Sequence, residues 1–190
     1  ELAVLDPLLP TRLTLEGPLE GALSASWRPD RPPVLEARLG SENGQLTHWL
    51  PEGESASWSW QRLASTIALR DGGVAVTAQL VENGSPRVSL QATRTPGEAA
   101  ELRGSLELDA LELAPWEPLI TPLSDLAGHL DGQLQLGGSL ASPRLDGRLQ
   151  WREGRLSLQG NPTALLAARS ELVFRGRSAR VSGEGSLGEG

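Results

Sequence analysis

The feature that most constrains the fold is an alternation of apolar and polar residues, with a period of two, between Gly128 and Leu158. From Leu130 to Leu140, leucine and glycine occupy one parity, and the other holds Asp131, Gln133, Gln135 and Ser139, with Gly137 among them. A strand points successive side chains to opposite faces, whereas a helix repeats about every 3.6 residues and cannot sort them this way. The pattern predicts strands with one apolar face, and Ser142-Pro143 and Glu153-Gly154 predict short turns between antiparallel neighbours.

The same alternation recurs through most of the chain. The turn signals Glu42-Asn43-Gly44, Asp71-Gly72-Gly73 and Glu82-Asn83-Gly84 separate further runs of alternating residues. Near Asp109-Ala110 the parity slips by one residue, which predicts a β-bulge, because an uncompensated slip would exchange the two faces. Apolar segments near 115–127 and 161–169 break the pattern and are expected to be short helical caps. The predicted fold is all-β, a long curved and mainly antiparallel sheet folded into an apolar-lined trough.

The composition suits a sheet with a single apolar face better than a compact globule. Hydrophobic residues are 38% of the 190 and aromatic residues only 4%, whereas a globular core normally mixes several large side chains. A Pro-Leu segment precedes a Leu/Gly strand twice, first at Asp6-Pro7-Leu8 and again at Glu117-Pro118-Leu119. We expect residues 1–190 to be one β-rich segment excised from a larger protein, with two sub-repeats at about 1–114 and 115–190.

Charge and residue usage argue against several classes of function. The net charge is -7 and arginine is scattered singly, which disfavours nucleic acid as a partner. Cysteine is absent, and His48 and His129 have no neighbours at metal-ligand spacing, so neither a metal nor a cofactor is expected. Asp131, Asp146 and Glu153 stand among polar residues, as on a solvated face, and we predict no enzyme activity. The sequence has no run of about 18 apolar residues.

The leucine-rich parity can be interpreted in two ways. A sandwich would bury it as a core, whereas an uncovered apolar stripe marks a binding surface. Trp27 and Trp151 each end an apolar row, so they suit either contact with a lipid or packing at a strand end. The predicted groove residues are Leu13, Leu15, Leu19, Leu23, Trp27, Leu106, Leu108, Leu130, Leu134, Leu136, Leu140, Leu145, Leu149, Trp151, Leu156 and Leu158.

A recurring Gly-x-Leu phrase carries a resemblance to a known family. It occurs in Leu130-Asp131-Gly132-Gln133-Leu134, in Leu145-Asp146-Gly147-Arg148-Leu149 and in Gly154-Arg155-Leu156. Together with the Pro-Leu segments, this phrase resembles the TamB family, which belongs with the AsmA-like bridge-type β proteins of diderm bacteria. Trp58-Ser59-Trp60-Gln61 is similar to that family's C-terminal region. The resemblance is firmest over 102–160 and looser over 1–100.

The resemblance implies a β-taco-like trough with an apolar interior. It implies a C-terminal-region fragment of a protein that is anchored in the inner membrane and crosses the periplasm. It further implies phospholipid transport toward the outer membrane, and a role in secretion and assembly of outer-membrane proteins with a TamA-type barrel partner. An isolated fragment with open sheet edges is also expected to self-associate.

These observations support one leading hypothesis and two alternatives. The first is a periplasmic conduit segment that holds phospholipid acyl chains in the leucine-lined groove. The second is a scaffold that pairs its sheet edges with unfolded outer-membrane β-strands. The third is a β-helical carbohydrate-active enzyme, which requires clustered carboxylates and aromatic residues that the sequence does not show.

Overall fold

A computed structural model describes residues 13–49, 55–97, 100–119, 123–158, 160 and 163–189. Its strands form one eleven-stranded sheet. The strands are β1 Leu13–Glu16, β2 Glu20–Arg28, β3 Arg31–Trp49, β4 Ser55–Arg70, β5 Gly73–Glu82, β6 Ser85–Arg94, β7 Leu102–Glu112, β8 Leu123–Ser139, β9 Ser142–Leu158, β10 Thr163–Gly176 and β11 Ser178–Glu189. Among the described residues, the one helical element is the 3₁₀ helix Ala114–Leu119 between β7 and β8.

The sheet is an antiparallel meander with open edges. From β3 to β11, each strand pairs with the next strand along the chain, and every pair is antiparallel. Strands β1 and β2 pair with successive parts of the long strand β3. The predicted all-β antiparallel trough is confirmed.

The cross-strand register gathers the apolar parity of successive strands on one side, called here the apolar face. One row of directly opposite residues runs Leu23, Ala37, Ile67, Val76, Ala92, Gly104, Leu136 and Leu145. A second runs Leu39, Ser65, Ala78, Leu90, Leu106, Leu134, Gly147 and Phe174. A third runs Leu63, Leu80, Val88, Leu108, Gly132, Leu149, Leu172 and Val181. Opposite residues share a face, so the apolar face extends from β2 to β11.

At one end of the strands, called here the closed end, side chains from several strands meet. Leu46, Trp58, Trp60, Leu80 and Leu111 form a buried cluster that draws together β3, β4, β5 and β7. Trp116 of the 3₁₀ helix packs against it, with its ring centroid 5.5 Å from that of Trp58. Flat neighbouring strands lie about 4.8 Å apart, so contact between β4 and the segment after β7 requires strong coiling of the sheet here.

The opposite end, called here the open end, consists of hairpin turns. Turns at 29–30, 71–72 and 140–141 join β2 to β3, β4 to β5 and β8 to β9. The predicted turn at Asp71-Gly72 is therefore confirmed, as is the turn at Asn83-Gly84 near the closed end. In these two turns, Asp71, Gly72, Asn83 and Gly84 adopt the positive φ angles that tight hairpin turns require.

Two predicted turns are wrong, because strands continue through them. Strand β3 passes through Glu42-Asn43-Gly44, and β9 passes through Glu153-Gly154. Asn43 (φ 51°) and Glu153 (φ 53°) take left-handed conformations within these strands instead. Pairing with one neighbouring strand keeps each segment within the sheet: Glu42 and Gly44 lie opposite residues of β4, and Gly154 lies opposite Ala168 of β10. Asn43 lies between two paired residues, whereas Glu153 belongs to a bulge, where the register of β9 against β10 shifts.

The two predicted helical caps are largely wrong. Near 115–127 the structure has a short 3₁₀ helix, but from Leu123 onward the chain is already strand β8. Near 161–169, residues from Thr163 onward belong to β10, and 161–162 lie outside the described residues. A bulge at Ala167 (φ 48°) shifts the register here and obscures the alternation in the sequence.

The β-bulge predicted at Asp109-Ala110 is confirmed, and it is held by a side chain from the next strand. The register of β7 against β8 shifts between Leu108 and Leu111, and Ala110 has φ 47°. Asp131 Oδ1 accepts the Ala110 N–H at 2.9 Å, and its Oδ2 accepts the Arg152 Nε and Nη2 donors at 2.8 and 2.7 Å. One carboxylate therefore links β7, β8 and β9.

Replacing Asp131 by alanine is expected to lower the free energy of unfolding by about 1–2 kcal/mol, because it leaves the Ala110 N–H and Arg152 without their acceptor. Urea unfolding of the chain measures the change. Asp109→Ala is the matched control, because that carboxylate is mostly exposed and its nearest cation, Arg87 Nη1, is 3.8 Å away. Equal effects of the two substitutions would contradict the bulge-holding role.

Candidate functional site

The structure brings half of the predicted groove residues together on the apolar face. Across β7, β8 and β9 they lie directly opposite one another or opposite a glycine. These central members are Leu106, Leu108, Leu130, Leu134, Leu136, Leu145, Leu149 and Trp151. Leu23 of β2 belongs to the same face, opposite Ala37, and it is largely exposed. Near the closed end, Leu156 lies opposite Leu165 of β10.

The remaining predicted groove residues have other surroundings. Leu15 and Leu19 pack against the buried cluster at the closed end, as does Leu108 of the central members. Leu140 lies in the turn between β8 and β9, so its placement in a groove-lining strand is wrong. Leu158 ends β9 opposite Leu123 and is exposed, as is Trp27 near the end of β2. The Leu13 side chain lies outside the described residues.

Strands β4 to β6 and β10 to β11 extend the apolar face beyond the residues predicted to line the groove. Leu63, Ile67 and Val181 are exposed large apolar side chains on this face. Their alternation is visible in the sequence, but valine and isoleucine replace the Leu/Gly phrase that singled out β7 to β9. The apolar surface is consequently wider than the predicted groove.

No second layer covers the apolar face within the described ranges, since all strands there belong to one sheet. Large apolar side chains remain solvent-exposed on several strands of that face, Ile67 at 44% among them. Contiguous exposed apolar surface beyond a few hundred Å² is uncommon in soluble monomers and marks an interaction site. The apolar face therefore presents exposed hydrophobic side chains on several strands.

Toward the closed end, two tryptophan side chains pack over glycines. Gly44 lies opposite Trp60, and a Cβ at Gly44 would overlap the Trp60 indole. Trp151 covers Gly154 in the same way, and its Nε1 donates a hydrogen bond to the Ala127 carbonyl at 3.0 Å. Trp151 lies in the middle of β9, which continues to Leu158, so the interpretation that it packs at a strand end is wrong.

The structure explains each residue of the repeated Leu-Asp-Gly-x-Leu phrase. The leucines lie on the apolar face, while the aspartates accept backbone N–H groups of the neighbouring strand. Asp131 accepts that of Ala110, and Asp146 Oδ1 accepts that of Gly176 at 2.9 Å. These carboxylates therefore accept hydrogen bonds that link neighbouring strands.

Gly132 and Gly147 are the glycines of this phrase, and both have a backbone conformation that is unusual in a strand. Their φ angles are 140° and 142°, a region that L side chains rarely adopt. Each glycine lies opposite a leucine of the other copy of the phrase: Gly132 lies opposite Leu149, and Gly147 lies opposite Leu134. The absent Cβ lets the neighbouring backbone approach closely, and glycine kinks of this kind curve a sheet.

Ion pairs cover the opposite, polar face. Glu36 on β3 accepts a hydrogen bond from Arg70 of β4 at 2.7 Å and also pairs with Arg38. The hydrogen bonds from Arg70 and then from Arg38 lower the pKa of Glu36. Its carboxylate pairing is therefore present at neutral pH and is lost as the pH falls through that lowered pKa. This face offers water a charged surface.

The described residues contain neither a cluster of metal ligands nor a membrane-spanning helix. No group of three or more histidine, cysteine, aspartate or glutamate side chains is arranged to hold a metal ion there. The described helix is also too short and too polar to cross a bilayer.

An open antiparallel sheet with an uncovered apolar face defines a groove-forming β protein. Comparison with known families assigns the particular one: residues 1–151 match the family model described as TamB, N-terminal domain. The chain belongs to the TamB family, whose members are proteins of the cell envelope. The match includes residues 1–100, where the resemblance in sequence is looser, and its model describes the N-terminal rather than the C-terminal domain. No solved structure matches the chain.

Proposed function

We propose that this chain is a non-enzymatic conduit segment that holds phospholipid acyl chains on its apolar face. Family membership supports a bridge-like transport role in the envelope. The observation that carries the lipid assignment is the set of three overlapping apolar cross-strand rows that together extend from β2 to β11 without a covering layer in the described structure. The proposed setting is the periplasm, in a parent protein anchored in the inner membrane, with phospholipid moving between the inner and outer membranes.

Elementary energetics favour this ligand. Transfer of hydrocarbon out of water is worth about 0.8 kcal/mol per CH₂, so an acyl chain binds an apolar surface without a specific polar contact. The strands that bear the face have ten residues or more from β3 onward, which at about 3.3 Å per residue is roughly 30 Å of length. That length exceeds the roughly 15 Å that one acyl chain contributes to a bilayer core about 30 Å thick.

Ile67→Glu tests the proposal with little risk to the fold, because Ile67 lies on the apolar face yet is exposed. The variant is expected to retain the wild-type melting temperature and to lose most of the phospholipid that co-purifies with the chain. Native mass spectrometry with lipid extraction measures the bound lipid. Leu134 is a poorer site, because it is only 7% exposed and a charge there threatens folding.

Thr66→Glu is the matched control, since Thr66 is the preceding residue of β4 and points to the polar face opposite Arg38. It is expected to leave bound lipid unchanged. A folded wild-type chain that carries no lipid, and takes up none from vesicles, would refute the conduit proposal. Equal losses in both variants would show that general charge, rather than the apolar face, controls retention.

The second candidate function is a scaffold for outer-membrane β-barrel strands, in concert with a TamA-type partner of the parent protein. The favouring observation is the open edge of β11, which pairs with β10 alone and has exposed side chains along most of its length. Such an edge offers free backbone groups for β-augmentation, and it could also pair with a second copy. Site-specific crosslinking from Ser182 of β11 to an unfolded barrel strand, in lipid-free protein, would favour this candidate.

A further inference from the structure

One charged residue interrupts the apolar rows. The row nearest the open end runs Ala25, Leu35, Leu69, Val74, Arg94 and Leu102. Arg94 ends β6 directly opposite Val74 on one side and Leu102 on the other. Among the four cross-strand rows of described residues, no other position is charged. An arginine between two aliphatic side chains needs a reason other than packing.

The Arg94 guanidinium has an unused donor. Its Nε is buried and has no hydrogen-bond partner within the described structure, and the residue as a whole is half-buried. Nearby arginines on the polar face are paired, Arg70 with Glu36 at 2.7 Å and Arg103 with Glu101 at 2.8 Å. A buried donor without an acceptor is costly, and an anion would satisfy it.

The surroundings of Arg94 favour an anion. Arginines stand in or beside the turns of the open end: Arg28, Arg70, Arg103, Arg144 and Arg175. The acidic residues there are Asp30, Asp71, Glu101 and Asp146, and two of them are engaged, Glu101 by Arg103 and Asp146 by the Gly176 N–H. The closed end instead has more acidic residues, Glu16, Glu42, Glu82, Glu112, Glu117, Asp125, Glu153 and Glu184, than arginines, Arg62, Arg87, Arg152, Arg155 and Arg169. The sheet is thus polarised along its strands, with the cationic end at Arg94.

We propose that Arg94 binds the phosphate of a phospholipid headgroup at the open end, while the acyl chain lies along the apolar face toward the closed end. This inference rests on the proposed lipid-binding function and adds the polar contact that orients the lipid. Guanidinium binds phosphate through parallel N–H donors. Val88 of β6 packs against the buried cluster at the closed end. From Arg94 to Val88, β6 spans six residue steps, or roughly 20 Å. This length accommodates the roughly 15 Å acyl chain of one leaflet.

The test compares two lipids that share acyl chains and differ in phosphate. The full chain is incubated with vesicles containing equal parts of phosphatidylglycerol and diacylglycerol in a neutral phosphatidylcholine background, is re-isolated, and its lipid is quantified. Wild type is expected to be enriched in phosphatidylglycerol over diacylglycerol. Arg94→Gln is expected to reduce that enrichment about tenfold, as for loss of a charged hydrogen bond. Arg103→Gln, at the same end but on the polar face, is the matched control and keeps the enrichment.

The possible results distinguish a failure of the Arg94 assignment from a failure of the proposed lipid-binding function. Equal enrichment in wild type and Arg94→Gln would overturn the assignment of Arg94 while leaving acyl binding intact. A chain that binds neither lipid would overturn the proposed function, and with it this inference. Titration with inorganic phosphate alone is the third arm. Tight binding that requires Arg94 and persists unchanged when lipid is loaded would overturn the lipid as the source of phosphate.

A stability measurement supplies a readout that lipid analysis does not. In lipid-free protein, Arg94→Leu is expected to leave the melting temperature unchanged or to raise it, because it removes an unpaired donor between Val74 and Leu102. A marked fall in melting temperature would show that Arg94 is a structural residue, and would overturn the inference.

Discussion

Replacement of Trp60 by alanine is expected to lower the free energy of unfolding by about 3–5 kcal/mol, the usual cost of removing a buried aromatic side chain. Trp60 is only 4% exposed and sits at the centre of the closed end, with its ring centroid 5.3 Å from that of Trp58. Its indole covers Gly44, so alanine would leave a cavity and also uncover the backbone of β3. Urea unfolding followed by circular dichroism measures the loss.

Trp27→Ala is the matched control for this prediction. Trp27 has the same side chain in the same sheet, but it is 72% exposed near the end of β2. Its removal is expected to change the stability of the lipid-free chain by no more than about 0.5 kcal/mol. If the two substitutions had similar effects, the cluster at the closed end would not be the anchor of the sheet.

The closed end explains how a sheet without a covering layer remains folded. Four strands contribute to the buried cluster, and Trp116 of the 3₁₀ helix packs against it, whereas toward the open end Leu39 and Ile67 are left exposed. Trp58 adds a polar link, because its Nε1 donates to Glu82 Oε1 at 3.0 Å, and Glu82 faces Arg87. Stability is thus concentrated at one end of the strands, and the exposed apolar surface lies toward the other. This separation leaves the apolar face available to a ligand.

The faces of the sheet were predictable from the sequence because the period of two is a direct consequence of strand geometry. The bulge at Ala110 was predictable for the same reason, since only an extra residue reconciles the parity of Leu108 with that of Leu111. Asn43-Gly44 and Asn83-Gly84 carry the same local turn signal, yet only the second forms a turn. Pairing of β4 with β3 on either side of Asn43 decides the difference, and a local pattern does not contain that information.

The closed end could not be predicted from the sequence alone. Trp58 and Trp60 alternate with serine over only a few residues, and nothing local connects them with Leu111 or Trp116. Their contact depends on the coiling of β3 to β7, which brings residues distant in sequence together. Arg94 was missed for a different reason. In the sequence, a single charge at the end of an apolar run indicates only that the strand ends there. The cross-strand register is needed to show that Arg94 lies between Val74 and Leu102.

Substitution of Gly147 by alanine is expected to lower the free energy of unfolding by about 2–4 kcal/mol, from backbone strain together with overpacking. Gly147 has φ 142°, and a Cβ there would overlap the Gln133 carbonyl oxygen and approach Leu134 Cα to 3.0 Å. The neighbouring atoms belong to the backbone of a paired strand, so they cannot move aside as a flexible side chain would. Gly132 meets the same restriction against Arg148 and Leu149, so Gly132→Ala is expected to have a similar effect.

Gly137→Ala provides the control, because Gly137 lies in the same sheet and an added Cβ would come no closer than 4.0 Å to the Leu102 carbonyl oxygen. That substitution is expected to be neutral or to stabilise by up to about 1 kcal/mol, since alanine restricts the unfolded chain. Urea midpoints of the three variants test the argument together. If Gly147→Ala were as harmless as Gly137→Ala, the glycine of the Leu-Asp-Gly-x-Leu phrase would not be needed for curvature. If only the two phrase glycines are sensitive, the phrase is a structural device that bends paired strands so that their leucines line one concave apolar surface.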